Sequence, residues 1–206
     1  YLQCVGGISG DMLLGAIIDS GLPVSNINES LAKLGVDGLK ISHDSGKRGG
    51  VNGTKVTVHV SDIASKTSWT FEKFINVTQQ SSLGTNIIER SCRIFQRLSE
   101  AETSVHRTAA YESSHLAELG DVDTLADVVG TVVGFDSLGV DRIYSSPLPS
   151  GRGIANSQHG KIPTLAPATA TILAMGHAPI VAPSSSVFDT GEMVTPTGAA
   201  LVTILA

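Results

Sequence analysis

The sequence is poor in aromatic residues, and neither sign of charge dominates it. Phe, Trp and Tyr make up 4% of the 206 residues, and the formal net charge is −5. A protein that binds nucleic acid usually presents a basic surface, with aromatic rings that stack on bases. The composition therefore excludes nucleic acid as an expected partner.

Cysteine is also scarce, and long apolar runs are absent. The two cysteines, Cys4 and Cys92, lie far apart and form neither a metal-binding pair nor a redox motif. Two free thiols are typical of an intracellular protein. Because no apolar run approaches membrane-spanning length, no membrane association is expected. We therefore expect a soluble intracellular protein, and its length allows a sizeable core.

Helical and strand patterns both occur, but without strict βαβ alternation. The periodicity predicts helices over residues 11–20, 86–111 and 120–138. Residues 39–45 and 54–60 alternate apolar and polar side chains, which predicts a hairpin with a long flexible loop over the glycine-rich stretch between them. We predict an α+β fold with a mixed sheet and packed helices, one of them a long helix rich in Asp and Gly.

The ends of the sequence resemble cut points. Residue 1 is a tyrosine inside a predicted strand, residues 1–5. Residues 196–206 form an apolar helical pattern with no stop signal. We expect residues 1–206 to form a single N-terminal domain of a longer protein.

Glycines and a serine precede the first predicted helix, in the segment GGISGDM. Ser9 is placed to cap the helix, and Asp11 lies in its positively charged first turn. Gly7 and Gly10 permit close backbone approach. Two interpretations remain open: a tight strand-to-helix turn, or a cradle of backbone N–H groups for an anion. Because a carboxylate repels an anion, the second interpretation requires a cation beside Asp11.

A second helix start has the same character. In the segment VTPTGAA, Thr195 is a predicted N-cap and Pro196 occupies the first helical position. Thr197 and Gly198 add a hydroxyl and a bare backbone, which makes them candidate anion-binding residues. Their plainer interpretation is that of ordinary residues at a helix start.

Acidic residues and glycines share one face of the predicted helix over 120–138. Asp123 and Asp127 are four residues apart, and Gly130 and Gly134 continue the stripe. Like charges at this spacing repel each other, and a glycine inside a helix costs about 1 kcal/mol relative to Ala. The stripe therefore indicates either a bound cation or a closely packed neighbour. Each Asp taken singly is also explained as a helix-terminal or solvent-facing residue.

Four further side chains are candidates for chemistry. His115 and Glu118 are three residues apart and converge if their segment is helical; nitrogen and oxygen donors suit nickel, zinc or iron. Arg152, in the segment SGRG, offers a bidentate fork for an anion. His159 precedes a glycine in a polar loop and is a candidate acid, base or ligand. The plainer interpretation of Arg152 and His159 is an exposed loop.

Five segments together resemble the N-terminal part of the nickel insertion proteins of lactate racemase cofactor synthesis. The segments, in chain order, are GGISGDMLLGAIIDSG, HLAELGDVDTLADVVG, SSPLPSGRG, HGKIPTLAPAT and GEMVTPTGAA. The resemblance implies a cytoplasmic, lyase-class nickel chelatase (cyclometallase). It inserts nickel into pyridinium-3,5-bisthiocarboxylic acid mononucleotide and needs CTP with Mg or Mn. It also implies a homo-oligomer, a recipient racemase as partner, and a C-terminal ferredoxin-like domain that holds the nucleotide and that this chain lacks.

The resemblance and the residue patterns together assign three groups of candidate residues. The candidate catalytic residues, which would take the proton released by the substrate, are His115 and Glu118. The candidate cofactor-binding residues are Gly7, Ser9, Gly10, Arg152, Thr195, Thr197 and Gly198. The candidate metal ligands are Asp11, His115, Glu118, Asp123, Asp127 and His159.

Two other functions remain open at this point. The first is a noncatalytic metal- or mononucleotide-binding module that serves a C-terminal catalytic domain. The second is a phosphate-binding hydrolase or transferase with a divalent ion at the acidic cluster, which the sequence favours less because it contains no recognisable nucleophile motif.

Overall fold

A computed structural model describes residues 1–48, 50–106, 121–157, 160–182 and 191–206. The helices are α1 (Gly10–Asp19), α2 (Val24–Ala32), α3 (Asp62–Lys66), α4 (Phe71–Gln79), α5 (Thr85–His106), α6 (Val122–Ser137), α7 (Pro167–Met175) and α8 (Pro196–Leu205). The strands are β1 (Lys40–Arg48), β2 (Val51–His59), β3 (Leu148–Pro149), β4 (Ile154–Ser157), β5 (Gly160–Pro163) and β6 (Ile180–Val181). The α+β class is confirmed.

The strands pair two by two, in both orientations. β1–β2 and β4–β5 are antiparallel ladders, and β3–β6 is a short parallel one. The strand predicted over residues 1–5 is reduced to a single parallel bridge between Leu2 and Ser145. Helices therefore supply most of the packing surfaces in the described part of the chain.

The hairpin differs from its prediction in one respect. Its ladder runs without interruption from the pair Lys40–His59 to the pair Arg48–Val51, and Gly46 lies opposite Gly53. The expected long flexible loop was wrong, because ladder hydrogen bonds come from the backbone and continue through glycines. Near the base of the hairpin, the Asn28 side chain of α2 binds both the N–H and the C=O of Ile41, at 2.7 and 2.9 Å.

The core lies between the helices. Its largest fully buried side chains are Phe74, Phe95, Leu14, Ile27, Leu31, Ile94, Leu98, Leu125, Leu148, Ile172, Leu173 and Leu201. The ring of Trp69, the single tryptophan, stacks on Phe74 at a centroid distance of 5.6 Å. None of the helices in the described ranges is long and apolar enough to cross a lipid bilayer.

Helices α1 and α6 run parallel in close contact. Going along both helices, Gly10 faces Asp127, Leu14 faces Gly130, and Ile17 faces Gly134. A Cβ added at Gly130 would lie 2.9 Å from Leu14 Cδ2, and one at Gly134 would lie 2.7 Å from Ile17 Cγ2. A closely packed neighbour, one of the two explanations for the stripe, therefore accounts for both glycines. It also sets Asp127 against the start of α1.

Candidate functional site

The start of α1 is organised by Ser9. As predicted, Ser9 is the N-cap: its Oγ accepts a hydrogen bond from the Met12 N–H at 3.4 Å. The same hydroxyl donates to Asp11 Oδ1. Asp11 is exposed in the first helical turn, where the helix dipole favours a negative charge. Ser9 therefore both caps the helix and orients the Asp11 carboxylate.

The start of α8 lies beside the start of α1. Ile8 N–H donates to the Met193 carbonyl at 2.8 Å, and Thr195 N–H donates to the Ile8 carbonyl at 3.1 Å. Thr195 Oγ1 accepts from the Gly198 N–H at 3.1 Å, which confirms its predicted role as N-cap. Two helix N-termini and their dipoles are thus brought together. We call this region, residues 7–11 and 193–198, the helix junction.

Two glycines of the helix junction are required by its packing. Gly7 has φ +95°, and a Cβ there would lie 2.6 Å from the Met193 carbonyl carbon. A Cβ at Gly198 would lie 2.7 Å from the Ile8 carbonyl carbon. The tight-turn interpretation therefore accounts for Gly7, and close packing at the start of α8 accounts for Gly198. Their predicted role in anion binding remains a prediction, as does that of Thr197, which is buried in the first turn of α8.

Arg152 joins the segment that leads into the helix junction. Its carbonyl accepts a hydrogen bond from the Gly191 N–H at 3.2 Å, in an isolated antiparallel bridge. The Arg152 side chain is exposed. This bridge ties the backbone of Arg152 to Gly191, two residues before Met193, whose carbonyl accepts a hydrogen bond from the Ile8 N–H.

Three carboxyl groups converge where α6 meets α1. Asp127 packs against Gly10: a Cβ at residue 10 would lie 2.5 Å from both Cβ and Cγ of Asp127. Burial, and then the nearby Asp11 and Asp123 carboxylates, raise the pKa of Asp127 to about 8. Burial, and then Asp121, also raise the pKa of Asp123. We call Asp11, Asp123 and Asp127 the acidic triad.

Asp127 is the least satisfied member of the acidic triad. Its Oδ1 atom is buried and has no hydrogen-bond partner in the described ranges. A buried polar atom without a partner is costly, and a buried negative charge without a partner is costlier still. A cation beside Asp127 would remove this cost by pairing with the ionised carboxylate.

The acidic triad does not by itself enclose a metal ion. Within the described residues, no three His, Cys, Asp or Glu side chains are placed to hold a metal ion together. The predicted ligands His115, Glu118 and His159 lie outside the described residues, so their roles remain predictions. The described side chains offer part of a coordination sphere, made of oxygen donors.

The sequence found the members of this region but not their arrangement. Ser9, Thr195 and the shared face of Asp123 and Asp127 follow from local rules of helix capping and periodicity. Asp127 packs against Gly10 because of the register between α1 and α6, two helices that are more than a hundred residues apart in the sequence. The sequence did contain one signal, the stripe of small residues on α6. The stripe indicates that another element packs closely there, but it does not show that this element is α1.

Comparison with known proteins decides the family. A family model described as "Nickel insertion protein" matches residues 1–206. The chain belongs to this nickel insertion family.

Members of the nickel insertion family align with this chain along its whole length. It is 42% identical over 206 residues to a protein of Roseiflexus castenholzii named "Putative nickel insertion protein", covering 100% of this chain and 50% of that protein. It is 37% identical over 212 residues to the "Pyridinium-3,5-bisthiocarboxylic acid mononucleotide nickel insertion protein" of Desulfitobacterium hafniense, covering 98% of this chain and 48% of that protein. The chain thus spans about half the length of the curated relatives it matches. No solved structure gives a significant match.

Proposed function

We propose that this chain takes part in inserting nickel into pyridinium-3,5-bisthiocarboxylic acid mononucleotide. The observation that carries the proposal is Asp127 Oδ1, a buried carboxyl oxygen that has no hydrogen-bond partner in the described ranges and belongs to a group whose pKa the nearby Asp11 and Asp123 carboxylates help to raise. The name of the Desulfitobacterium relative supports the choice of metal and substrate. In this account the acidic triad receives nickel as a substrate, and the helix junction faces the anionic groups of the mononucleotide.

The proposed nickel insertion requires no cysteine ligands from the protein. The substrate supplies two thiocarboxylate sulfurs as soft ligands for nickel, so the protein needs no cysteine pair. Both cysteines of this chain are buried and free, which agrees with sulfur ligands that come from the substrate and not from the protein. As the carbon–nickel bond forms, the pyridinium carbon loses its proton, and a base must accept it. We propose His115 or Glu118 as that base.

Five more specific properties are proposed from the family resemblance alone. They are cyclometallase activity of the lyase class, dependence on CTP with Mg or Mn, a role in the maturation of lactate racemase, a homo-oligomeric assembly and a cytoplasmic location. We assign CTP to a C-terminal ferredoxin-like domain, as the resemblance implies.

The test is an insertion assay with a matched control. The 206-residue chain is incubated with the mononucleotide, nickel chloride, CTP and magnesium, and nickel-bearing product is measured by mass spectrometry. With a C-terminal half from a relative added to supply the CTP-binding domain, we expect product with the wild type and with Asp136→Asn, an exposed position on the same helix. We expect at least a tenfold loss with Asp127→Asn, about 1.4 kcal/mol of transition-state stabilisation. Equal rates for the three proteins would overturn the role of the acidic triad.

A second function is favoured by the incomplete ligand set of the acidic triad, since no three described His, Cys, Asp or Glu side chains are placed to hold a metal ion together. A noncatalytic module would bind nickel and the mononucleotide without forming product. Binding without product by the 206-residue chain alone, together with product formation in the complemented assay that persists in the His115→Ala and Glu118→Gln variants, supports this second function. Absence of both binding and product contradicts both functions.

A further inference from the structure

The acidic triad and the helix junction are each incomplete, and they share Asp11. We propose that this site binds a divalent cation and a phosphate monoester together, with the phosphate oxygens completing the coordination that the protein leaves open. The inference rests on the proposed function and deepens it, because it names the phosphate of the mononucleotide as the group bound at the helix junction.

The cation half lacks ligands. Its described donors are carboxylate oxygens, and no three acidic, histidine or cysteine side chains in the described ranges close around one point. Asp127 nevertheless packs its carboxyl group against Gly10, with Oδ2 on the side of α1, and its Oδ1 atom is buried without a hydrogen-bond partner in the described ranges. Octahedral divalent ions are commonly held by one or two carboxylates, with water and substrate phosphates filling the other positions. The acidic triad has the composition of such a site.

The phosphate half lacks a counter-charge. The first-turn amides of a helix have no partner within the helix, and they bind anions with the help of the dipole. At α1, Ser9 caps the amide of Met12, so those of Gly10 and Asp11 face the N-terminal end. At α8, Thr195 caps the amide of Gly198, and the amide of Thr197 has the same position in its helix. Asp11 stands in this turn, and its carboxylate repels a phosphate that arrives alone.

The cation and the phosphate therefore each favour binding of the other. A divalent cation neutralises the acidic triad and turns it from repelling phosphate to attracting it. A phosphate supplies oxygen ligands that the triad cannot. Binding of the two must then be cooperative, and by linkage each raises the affinity of the other by the same factor.

The test measures this coupling with manganese as the probe. Free Mn²⁺ is followed by electron paramagnetic resonance while the 206-residue chain is titrated, alone, with nicotinate mononucleotide, or with nicotinate riboside, which lacks the phosphate. We expect the mononucleotide to raise the affinity for Mn²⁺ about tenfold or more, within the usual range of coupling between sites. We expect the riboside to leave the affinity unchanged.

Variants separate the protein site from direct binding of Mn²⁺ to the nucleotide in solution. Asp127→Asn and Asp11→Asn should remove the coupling, and Asp136→Asn should keep it. Asp11 is exposed, so its variant keeps the test open if Asp127→Asn folds poorly. Equal affinity with and without phosphate, or equal coupling in all variants, overturns the inference.

The outcomes also separate this inference from the proposed function. Nickel insertion that depends on Asp127, without coupling between Mn²⁺ and phosphate, leaves the proposed function standing and overturns the inference. Coupling without nickel insertion or nickel binding supports the inference and contradicts the proposed function.

Discussion

The carboxyl group of Asp127 packs directly against Gly10, at the residue where α1 begins. This contact holds a carboxyl group in a buried position beside Asp11 and Asp123, whose charges oppose its ionisation. A sequence selected for stability alone would place an apolar side chain at residue 127, because burying an unpartnered carboxyl costs free energy. The contact therefore places a destabilising buried oxygen at the position where we propose that nickel is received.

Gly10→Ala should displace Asp127 and weaken cation binding. The added Cβ would lie 2.5 Å from two Asp127 carbon atoms, so one of the two helices must move. Overpacking of this kind typically costs about 1–3 kcal/mol, measured by urea unfolding with Trp69 fluorescence. Gly6→Ala is the matched control, since a Cβ at residue 6 meets nothing within 4 Å. Similar stability and nickel affinity in both variants would count against the contact.

Stability should fall with rising pH because of Asp127. Its pKa is about 8 in the folded protein and about 4 in an unfolded chain. Between these values the unfolded state ionises while the folded state keeps its proton, so the free energy of unfolding decreases by at most about 1.4 kcal/mol per pH unit. Below this window the stabilisation is complete, and above it the stabilisation is lost.

The measurement compares urea unfolding of the wild type and Asp127→Asn at several pH values across that window, with a chelator present. The wild type should lose stability relative to the variant by a few kcal/mol over the whole window. Parallel stability curves would show that the folded carboxyl titrates normally. Adding nickel should reduce the difference at the alkaline end, because a cation stabilises the ionised carboxylate.

Ser9→Ala should lower both stability and cation affinity. The variant loses the cap on Met12 and the hydrogen bond that orients Asp11. Loss of an N-cap costs about 0.5–2 kcal/mol. Thr70→Ala removes a cap of the same kind, on Lys73 at the start of α4. We expect comparable losses in thermal stability from the two variants, but weaker nickel binding in calorimetry only from Ser9→Ala. An identical nickel affinity would limit Ser9 to capping.

Gly134→Ala should destabilise the protein although alanine favours helices. The gain in helix propensity is about 1 kcal/mol, but the new Cβ would lie 2.7 Å and 3.0 Å from two Ile17 carbon atoms. Overpacking of about 1–3 kcal/mol should exceed that gain. The double variant Gly134→Ala with Ile17→Val should recover part of the loss in urea unfolding. A stabilised single variant would mean that α1 and α6 separate easily.

Much of the local structure follows from short-range rules. Ser9 and Thr195 were predictable as N-caps because a hydroxyl just before a helix satisfies its free amides. Helices α1, α5 and α6 were predictable from their apolar period, and α6 was expected over residues 120–138 and observed over Val122–Ser137. The hairpin was predictable from alternation, but its continuation through glycines was not, since glycine weakens the strand pattern without breaking the ladder.

The candidate site depends on contacts that no local rule provides. The pairing of Ile8 with Val194 joins the two ends of the sequence, and the sequence itself shows only two similar helix starts. The glycine stripe of α6 indicated a close neighbour or a cation, and the register of α1 on α6 was needed to show that Gly130 and Gly134 serve the neighbour. The same register places Asp127 beside Asp11, which gives the acidic triad its third member.

Isothermal titration calorimetry with nickel tests the central claim most directly. The wild type, Asp127→Asn and Asp136→Asn are titrated in the presence of the pyridinium mononucleotide, which is itself titrated with nickel in a protein-free control. We predict heat of binding beyond that control for the wild type and for Asp136→Asn, with affinity at least tenfold weaker for Asp127→Asn. Nickel affinities that are the same in all three proteins would contradict the assignment of the acidic triad as the place where nickel is received.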